Sequence, residues 1–220
     1  GADKVLLISS SEVGQRVPQH RAVIDAAQRA GVKLLAYTSL LHADTSPLGL
    51  AAEHQETEAL LRASGVPHVL LRNGWYTENY AASVPAALAH GVLLGSAGTG
   101  RIASAARADY AAAAAAVLTQ DGQAGRIYEL AGDTAYTLTD LAAEISAQSG
   151  KEIAYKDLPE TDYKAILLGA GLPEGLAALL ADSDTGASKG GLFDDSRQLS
   201  RLTGHPTTTM ATSIAAALKT

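Results

Sequence analysis

The sequence contains no cysteine, which excludes disulfides and thiolate metal sites and fits a cytosolic setting. It also lacks any clustered run of lysine and arginine. Seventeen basic residues against 23 acidic ones leave a net charge of −6, so neither nucleic acid nor an anionic membrane is an expected partner. No apolar stretch approaches the ~20 residues of a bilayer span, and no basic start with a short apolar region marks a secretory signal. Aromatic residues are few, and eight of them are tyrosines. There is no Gly-x-Ser-x-Gly elbow for a serine nucleophile, and no His/Asp/Glu set has metal-ligand spacing, so no metal is expected. The chain begins with Gly1 rather than Met, as a processed, trimmed or partial chain does.

What is present is enough apolar material for a core, 47% of 220 residues, arranged as alternating strand and helix patterns. Lys4–Ile8 predicts a strand buried on both faces. Val17–Ala30 predicts a helix with Val23, Ile24, Ala27 and Ala30 on one side, closed by Gly31. Val32–Tyr37 is the second strand. Turn formers over His42–Leu50 lead to a helix at Ala51–Ser64, and Gly65-Val66-Pro67 leads to a third strand, His68–Leu71. Repeated βα units of this kind point to an α/β fold with a parallel sheet and right-handed crossovers. The pattern then loosens. Trp75–His90 reads as a helix broken near Pro85, and the four glycines of Gly91–Ile102 mark strand pieces joined by turns. Asp109 is an N-cap ahead of the alanines at Ala111–Ala116. A strand at Arg126–Leu130 precedes an amphipathic helix at Thr137–Ser149, with Leu138, Leu141, Ala142 and Ile145 on one face. Glu152–Asp157 is a further strand. The remainder is mainly helical, interrupted by an acidic, glycine-containing loop at Asp182–Asp195.

Ligands of open parallel sheets bind outside the carboxyl ends of the strands. Three segments fall there: Ser9-Ser10-Ser11, Thr38-Ser39-Leu40, and Asn73-Gly74-Trp75-Tyr76. Each taken alone is also what any strand end needs, a polar turn. Their joint placement on one sheet edge favours a site for a ligand rich in hydroxyls and phosphates. No glycine-rich turn follows the first strand, and Gly98-Thr99-Gly100 and Gly190-Gly191 read as turns rather than phosphate cradles. Among the histidines, His20 lies in a polar helix start and reads as solvated. His54 precedes Glu58 by one helical turn, as an exposed pair or as a group for proton transfer or ligand anchoring. His42 lies in the loop over the presumed site, within reach of a substrate.

The stretches VLLISSSEVGQR, AYTSLLHADTSPLGLA, LLRNGWYTENY, ARADYAAAAAAVL and GASKGGLFDD together resemble the NADPH-dependent quinone oxidoreductases of the NmrA-like group, atypical members of the short-chain dehydrogenase superfamily. The likeness runs over essentially the whole chain, and NGWYTENY and SKGGLFDD are not general features of dinucleotide-binding folds. It implies a Rossmann-like parallel sheet truncated at its N-terminal half, with a smaller α+β C-terminal domain over a quinone pocket. In that division residues 1–134 form the partial NAD(P)-binding part, 83–102 contribute to the small domain, and 135–220 form the substrate domain. The implied cofactor is NADPH, with NADH possible. Ser9, Ser10 and Ser11 would lie along the middle of the dinucleotide, Thr38 and Ser39 near the nicotinamide, and Asn73, Gly74, Trp75 and Tyr76 around the nicotinamide end.

Two departures from the family follow. The chain has no Tyr-x-x-x-Lys pair, and His54 stands where related reductases carry a lysine, so the catalytic candidates are Tyr76, His54 and His42. The family's Thr-Gly-Ala-Thr-Gly-x-x-Gly turn and its 2′-phosphate-reading arginine belong to a segment of about sixty residues that would precede Lys4–Ile8. The expectation is therefore a half-built cofactor cleft, with weak dinucleotide binding, and an internal strand turned into an edge open to pairing or self-association. The activity implied is quinone reduction. The alternative is a dinucleotide-sensing regulator without catalysis. The partner is a small-molecule quinone, with no membrane and a possible homo-oligomer, in the cytoplasm.

Overall fold

A computed structural model describes residues 1–219, so Thr220, the last residue of the expected substrate domain, lies outside the described residues. The fold is α/β. A four-stranded parallel sheet has the order β1 (Lys4–Leu7), β2 (Leu34–Leu40), β3 (His68–Asn73), β5 (Ile127–Leu130). A second, two-stranded parallel sheet joins β4 (Val92–Gly95) to β6 (Ala154–Asp157). Among the described residues β1 is paired on one side only, by β2.

The alternation of side chains along β2 divides the core. Leu35 and Tyr37 face α1 (Arg16–Arg29) and α2 (Ala51–Ser64), packing with Ile24, Ala27, Leu61 and Leu70. Leu34 and Ala36 face the other side, with Val69, Leu71 and the alanine-rich α5 (Arg107–Thr119). Alanines at 113 and 114 let that helix lie close to the sheet. A third and larger cluster forms around the small sheet and α6 (Leu138–Ser149), whose Leu138, Leu141, Ala142 and Ile145 are all buried.

Several elements differ from the sequence pattern. β1 stops at Leu7, and Ile8 is exposed. Val23 and Ala30 are exposed, because α1 turns Arg16, His20, Ile24 and Ala27 inward instead. β2 and β3 run further than their apolar runs, to Leu40 and Asn73, because Thr38, Ser39 and Leu40 stay in register with Leu71, Arg72 and Asn73. The helical stretch after Trp75 is, as expected, broken near Pro85, into α3 (Thr77–Ala81) and α4 (Val84–His90). Asp109 is not the N-cap. α5 starts at Arg107, and Asp109, in its first turn, accepts the Ala106 N–H at 3.2 Å. The expected acidic loop is half helix: α8 (Glu174–Ser188) continues through Asp182 and Asp184, because Ala181, Asp184 and Ala187 lie on its buried face. Before it comes α7 (Glu160–Gly169), and after it α9 (Gln198–Thr203) and α10 (Met210–Ala217).

One ionic network fixes the carboxyl ends of β2 and β3. Arg72 on β3 is 3% exposed, and its Nε and Nη2 donate to the two carboxylate oxygens of the fully buried Glu58 at 2.9 and 2.7 Å. Its Nη1 donates to Asp44 at 2.8 Å and to Glu129 on β5 at 3.0 Å. Glu58 also accepts the Ser39 hydroxyl at 2.6 Å and an Arg62 N–H at 2.8 Å. Hydrogen bonds from Arg72 hold Asp44 below the usual carboxylate range. Removing one member of such a buried pair leaves the other charge uncompensated. Arg72→Ala is therefore expected to cost about 3–5 kcal/mol, a large part of a typical domain's ~5–15 kcal/mol. Urea unfolding measures it, and a loss below about 1 kcal/mol would mean that Glu58 is neutralised in another way.

Candidate functional site

A cavity of about 210 Å³ opens at the carboxyl ends of β1, β2 and β3. On the sheet side it is lined by Ser9, Ser39, Asn73, Gly74, Trp75 and Tyr76. Leu176, Leu179 and Leu180 of α8 face them, so one wall is polar and the other apolar. Gly74 sits at a tight approach: a Cβ there would meet the Leu130 carbonyl at 3.1 Å and the Tyr110 hydroxyl at 3.2 Å. The Asn73 side-chain oxygen is buried without a hydrogen-bond partner. An acceptor left in that state is costly, and a ligand N–H or O–H would satisfy it. Tyr76 is held edge-on against Tyr110, with the Arg107 guanidinium 4.1 Å from its ring centre.

The sequence candidates divide by position. Ser9, Ser39, His54 and the Asn73–Tyr76 segment share the cavity. Thr38 instead locks β1 to β2 by accepting the Ser9 N–H at 2.8 Å. Ser10 is used by its backbone, and the Ser11 side chain is exposed. His42 does not line the cavity. Its ring nitrogens lie 3.6 Å from Glu129 and 3.3 Å from Asp194, which turn it toward those acids.

Arg16 is the residue that the sequence reading missed. It opens α1, is 8% exposed, and lines the cavity. Its Nε donates to the Ser10 carbonyl at 2.6 Å, and its Nη1 faces His54 Nε2 at 3.4 Å. Among the described residues it has no ion-paired carboxylate. A buried guanidinium without an anion at the rim of a polar cavity is suited to receive one. The only signal in the sequence is an arginine at a helix start just after a polar strand end, and arginines are too common at such places for that to stand out.

Both histidines beneath this cavity correct the sequence reading, because each is buried. His20 is 1% exposed. Its Nε2 accepts the Ser10 N–H at 2.9 Å, so its proton sits on Nδ1 and is donated to Thr57 Oγ1 at 2.9 Å. His54 is 5% exposed and makes no exposed pair with Glu58, which is committed to Arg72. The guanidinium only donates, so His54 Nε2 keeps its lone pair toward Arg16, and Nδ1 meets the Tyr37 hydroxyl at 2.8 Å. The Tyr37 ring lies between the two imidazoles. Burial first, then Arg16 and His20, push His54 down to about 3. Burial and Arg16 likewise lower His20. Both rings are neutral near pH 7, and His54 is a poor proton donor.

With this geometry in place, comparison with known proteins gives the family. A family model described as NAD(P)H-binding matches residues 1–121. The chain is 68% identical over 214 residues to quinone oxidoreductase 2 of Escherichia coli (strain K12), covering 97% of this chain and 75% of that protein. It superposes on the crystal structure of an NADPH-dependent quinone oxidoreductase from Escherichia coli complexed with NADPH. The TM-score is 0.97 at 66% identity, over 99% of this chain and 77% of the other. The Citrobacter sp. triphenylmethane reductase complexed with NADP(H) aligns with a TM-score of 0.93 at 32% identity, over 99% and 77%. The chain belongs to the NAD(P)H-binding family, among the relatives of quinone oxidoreductase 2. No helix among the described residues is long and apolar enough to cross a membrane.

The buried histidines make stability depend on pH. His54 titrates at its ordinary 6.5 in the unfolded chain and at about 3 in the folded one. The unfolded state therefore binds more protons below pH 6.5, and stability falls as pH falls through that window toward about 3. His54→Gln is expected to flatten the fall in Tm between about pH 6.5 and 5. Parallel melting curves for the two proteins check it, and equal slopes would show that His54 is not buried neutral.

Proposed function

We propose that the protein reduces quinones with NADPH, a hydride passing from the nicotinamide to the quinone. The observation that carries this reading is the shared cavity of Ser9, Ser39, Asn73–Tyr76 and Arg16 at the strand ends, in a chain so similar to a quinone oxidoreductase. The residues present fit the cofactor. The partnerless Asn73 oxygen suits the carboxamide N–H of the nicotinamide, and the Arg16 guanidinium suits a negative or hydroxyl-rich group further along the dinucleotide.

In this reading Ser9 and Ser39 hold ribose hydroxyls, and Gly74 lets the strand end pack close against Leu130 and Tyr110 behind the site. Trp75 and Tyr76 pack around the nicotinamide end. Ser10, Ser11 and Thr38 shape the turn that carries Ser9, and Thr38 does so through its hydrogen bond to that backbone. The chain divides, we infer, into a nucleotide part, residues 1–134, and a substrate part, residues 135–220, to which 83–102 contribute through β4. The apolar wall from α8 excludes water from the reacting atoms, and the quinone stacks on the cofactor on that side.

The test is loss of NADPH absorbance with 1,4-benzoquinone as acceptor. Wild-type turnover is expected, and Asn73→Ala and Arg16→Gln are each expected to raise the KM for NADPH roughly tenfold or more. NADPH binding without quinone turnover would instead identify a dinucleotide sensor.

A further inference from the structure

Quinone reduction, as proposed above, needs a proton as well as a hydride, and His54, neutral near pH 7 with its N–H turned to Tyr37, is a poor donor of it. A second cavity, of about 270 Å³, adjoins the first and shares Trp75, Asn79 and Leu180 with it. Its walls are largely apolar, built from Leu93 and Leu94 of β4, Leu138 of α6, and Leu167 and Leu172 in and after α7. Its titratable groups are Tyr80, Tyr163 and Asp184.

Asp184 is 3% exposed. Its carboxylate accepts the Tyr80 hydroxyl at 2.9 Å and the Ser96 N–H at 3.0 Å. Gly95 brings the end of β4 against it so closely that a Cβ there would lie 2.7 Å from Asp184 Oδ2. The charged or titratable groups facing this carboxyl are Tyr80 from α3, Tyr163 from α7, and Tyr155 and Asp157 from β6. None of them is a cation, and among the described residues Asp184 has no salt bridge. Burial, with Asp157 adding to it, pushes Asp184 up to about 6. An unneutralised carboxyl in an apolar cavity beside a reaction site is placed to hold a proton until it is needed.

We propose that Tyr80 and Asp184 deliver the proton to the quinone, which sits against Trp75 with its far side in this second cavity. The hydride brings two electrons and one hydrogen, leaving a hydroquinone monoanion. The Tyr80 hydroxyl gives its proton to that oxygen, and the Asp184 carboxylic acid returns one to Tyr80. A proton taken up from the solvent then restores the Asp184 carboxylic acid, so quinone, hydride and one proton give hydroquinone. Tyr80 is the catalytic residue of the pair, and Asp184 supplies and positions its proton.

A purely structural Asp184 would only cap the end of β4 through the Ser96 N–H, a role that asparagine's amide oxygen can fill. NADPH–benzoquinone kinetics for wild type, Asp184→Asn and Tyr80→Phe, from about pH 5 to 8, separate the two roles. The wild-type kcat/KM is expected to fall above about pH 6. Both variants should lose that dependence together with the solvent deuterium isotope effect. At low pH their rates should be roughly 10²-fold lower, with the NADPH Kd unchanged within about twofold. A wild-type pH profile in Asp184→Asn would overturn this proposal alone, as would an equal loss at every pH with weakened NADPH binding. Absence of quinone turnover in the wild type would overturn the function and this step with it.

Discussion

The bidentate bond between Arg72 and Glu58 is the constraint from which the site follows. Both side chains are buried, so the bidentate pair compensates most of the cost of holding either charge away from water. Through them α2 is tied to β3, and the Ser39 hydroxyl, bonded to Glu58, ties in β2. The free edge of the guanidinium holds Asp44 and Glu129, which brings in the loop after β2 and the end of β5. The ends of β2 and β3 that this network fixes carry Ser39 and Asn73 into the cavity. A ligand that must be placed to a fraction of an ångström therefore meets backbone fixed by charge as well as by the sheet.

Around the site the charges are distributed unevenly. Beneath the first cavity stand a guanidinium with no carboxylate and two imidazoles that burial keeps neutral. In the second stands a carboxyl with no cation. Trp75, Asn79 and Leu180 separate the two. An anionic cofactor suits the first environment, and a neutral ring that gains negative charge as it is reduced suits the second, where a proton is stored. Leu176, Leu179 and Leu180 of α8 give the first an apolar wall, and Leu167 of α7 and Leu180 do the same for the second.

Much of the fold was legible in the sequence because its signals are local. The apolar run Val32–Tyr37 between turn signals read as a strand, and Leu138, Leu141, Ala142 and Ile145 read as one side of a helix. That polar segments after three strands would lie near one another was legible because a parallel sheet puts its strand ends on one edge. The misses share a cause. Strand ends at Leu40 and Asn73, and helix through Asp184, depend on partners distant in sequence: Thr38 pairing with Leu71, or the Tyr80 hydroxyl reaching Asp184 across more than a hundred residues. Polar residues read as loop unless their partner is known.

By itself, then, the sequence determined the class of fold, the order of its elements and the three polar segments that meet at the strand ends, since periodicity and turn chemistry act over a few residues. Only the tertiary structure decided the protonation and role of the titratable groups. His20 and His54 carry the same local signals as solvated histidines, Arg16 those of a surface helix start, and Asp184 those of an acidic loop. Which of them is buried, neutral, unpaired or holding a proton depends on what packs against it, because desolvation and hydrogen bonding come from neighbours that the chain brings together only on folding.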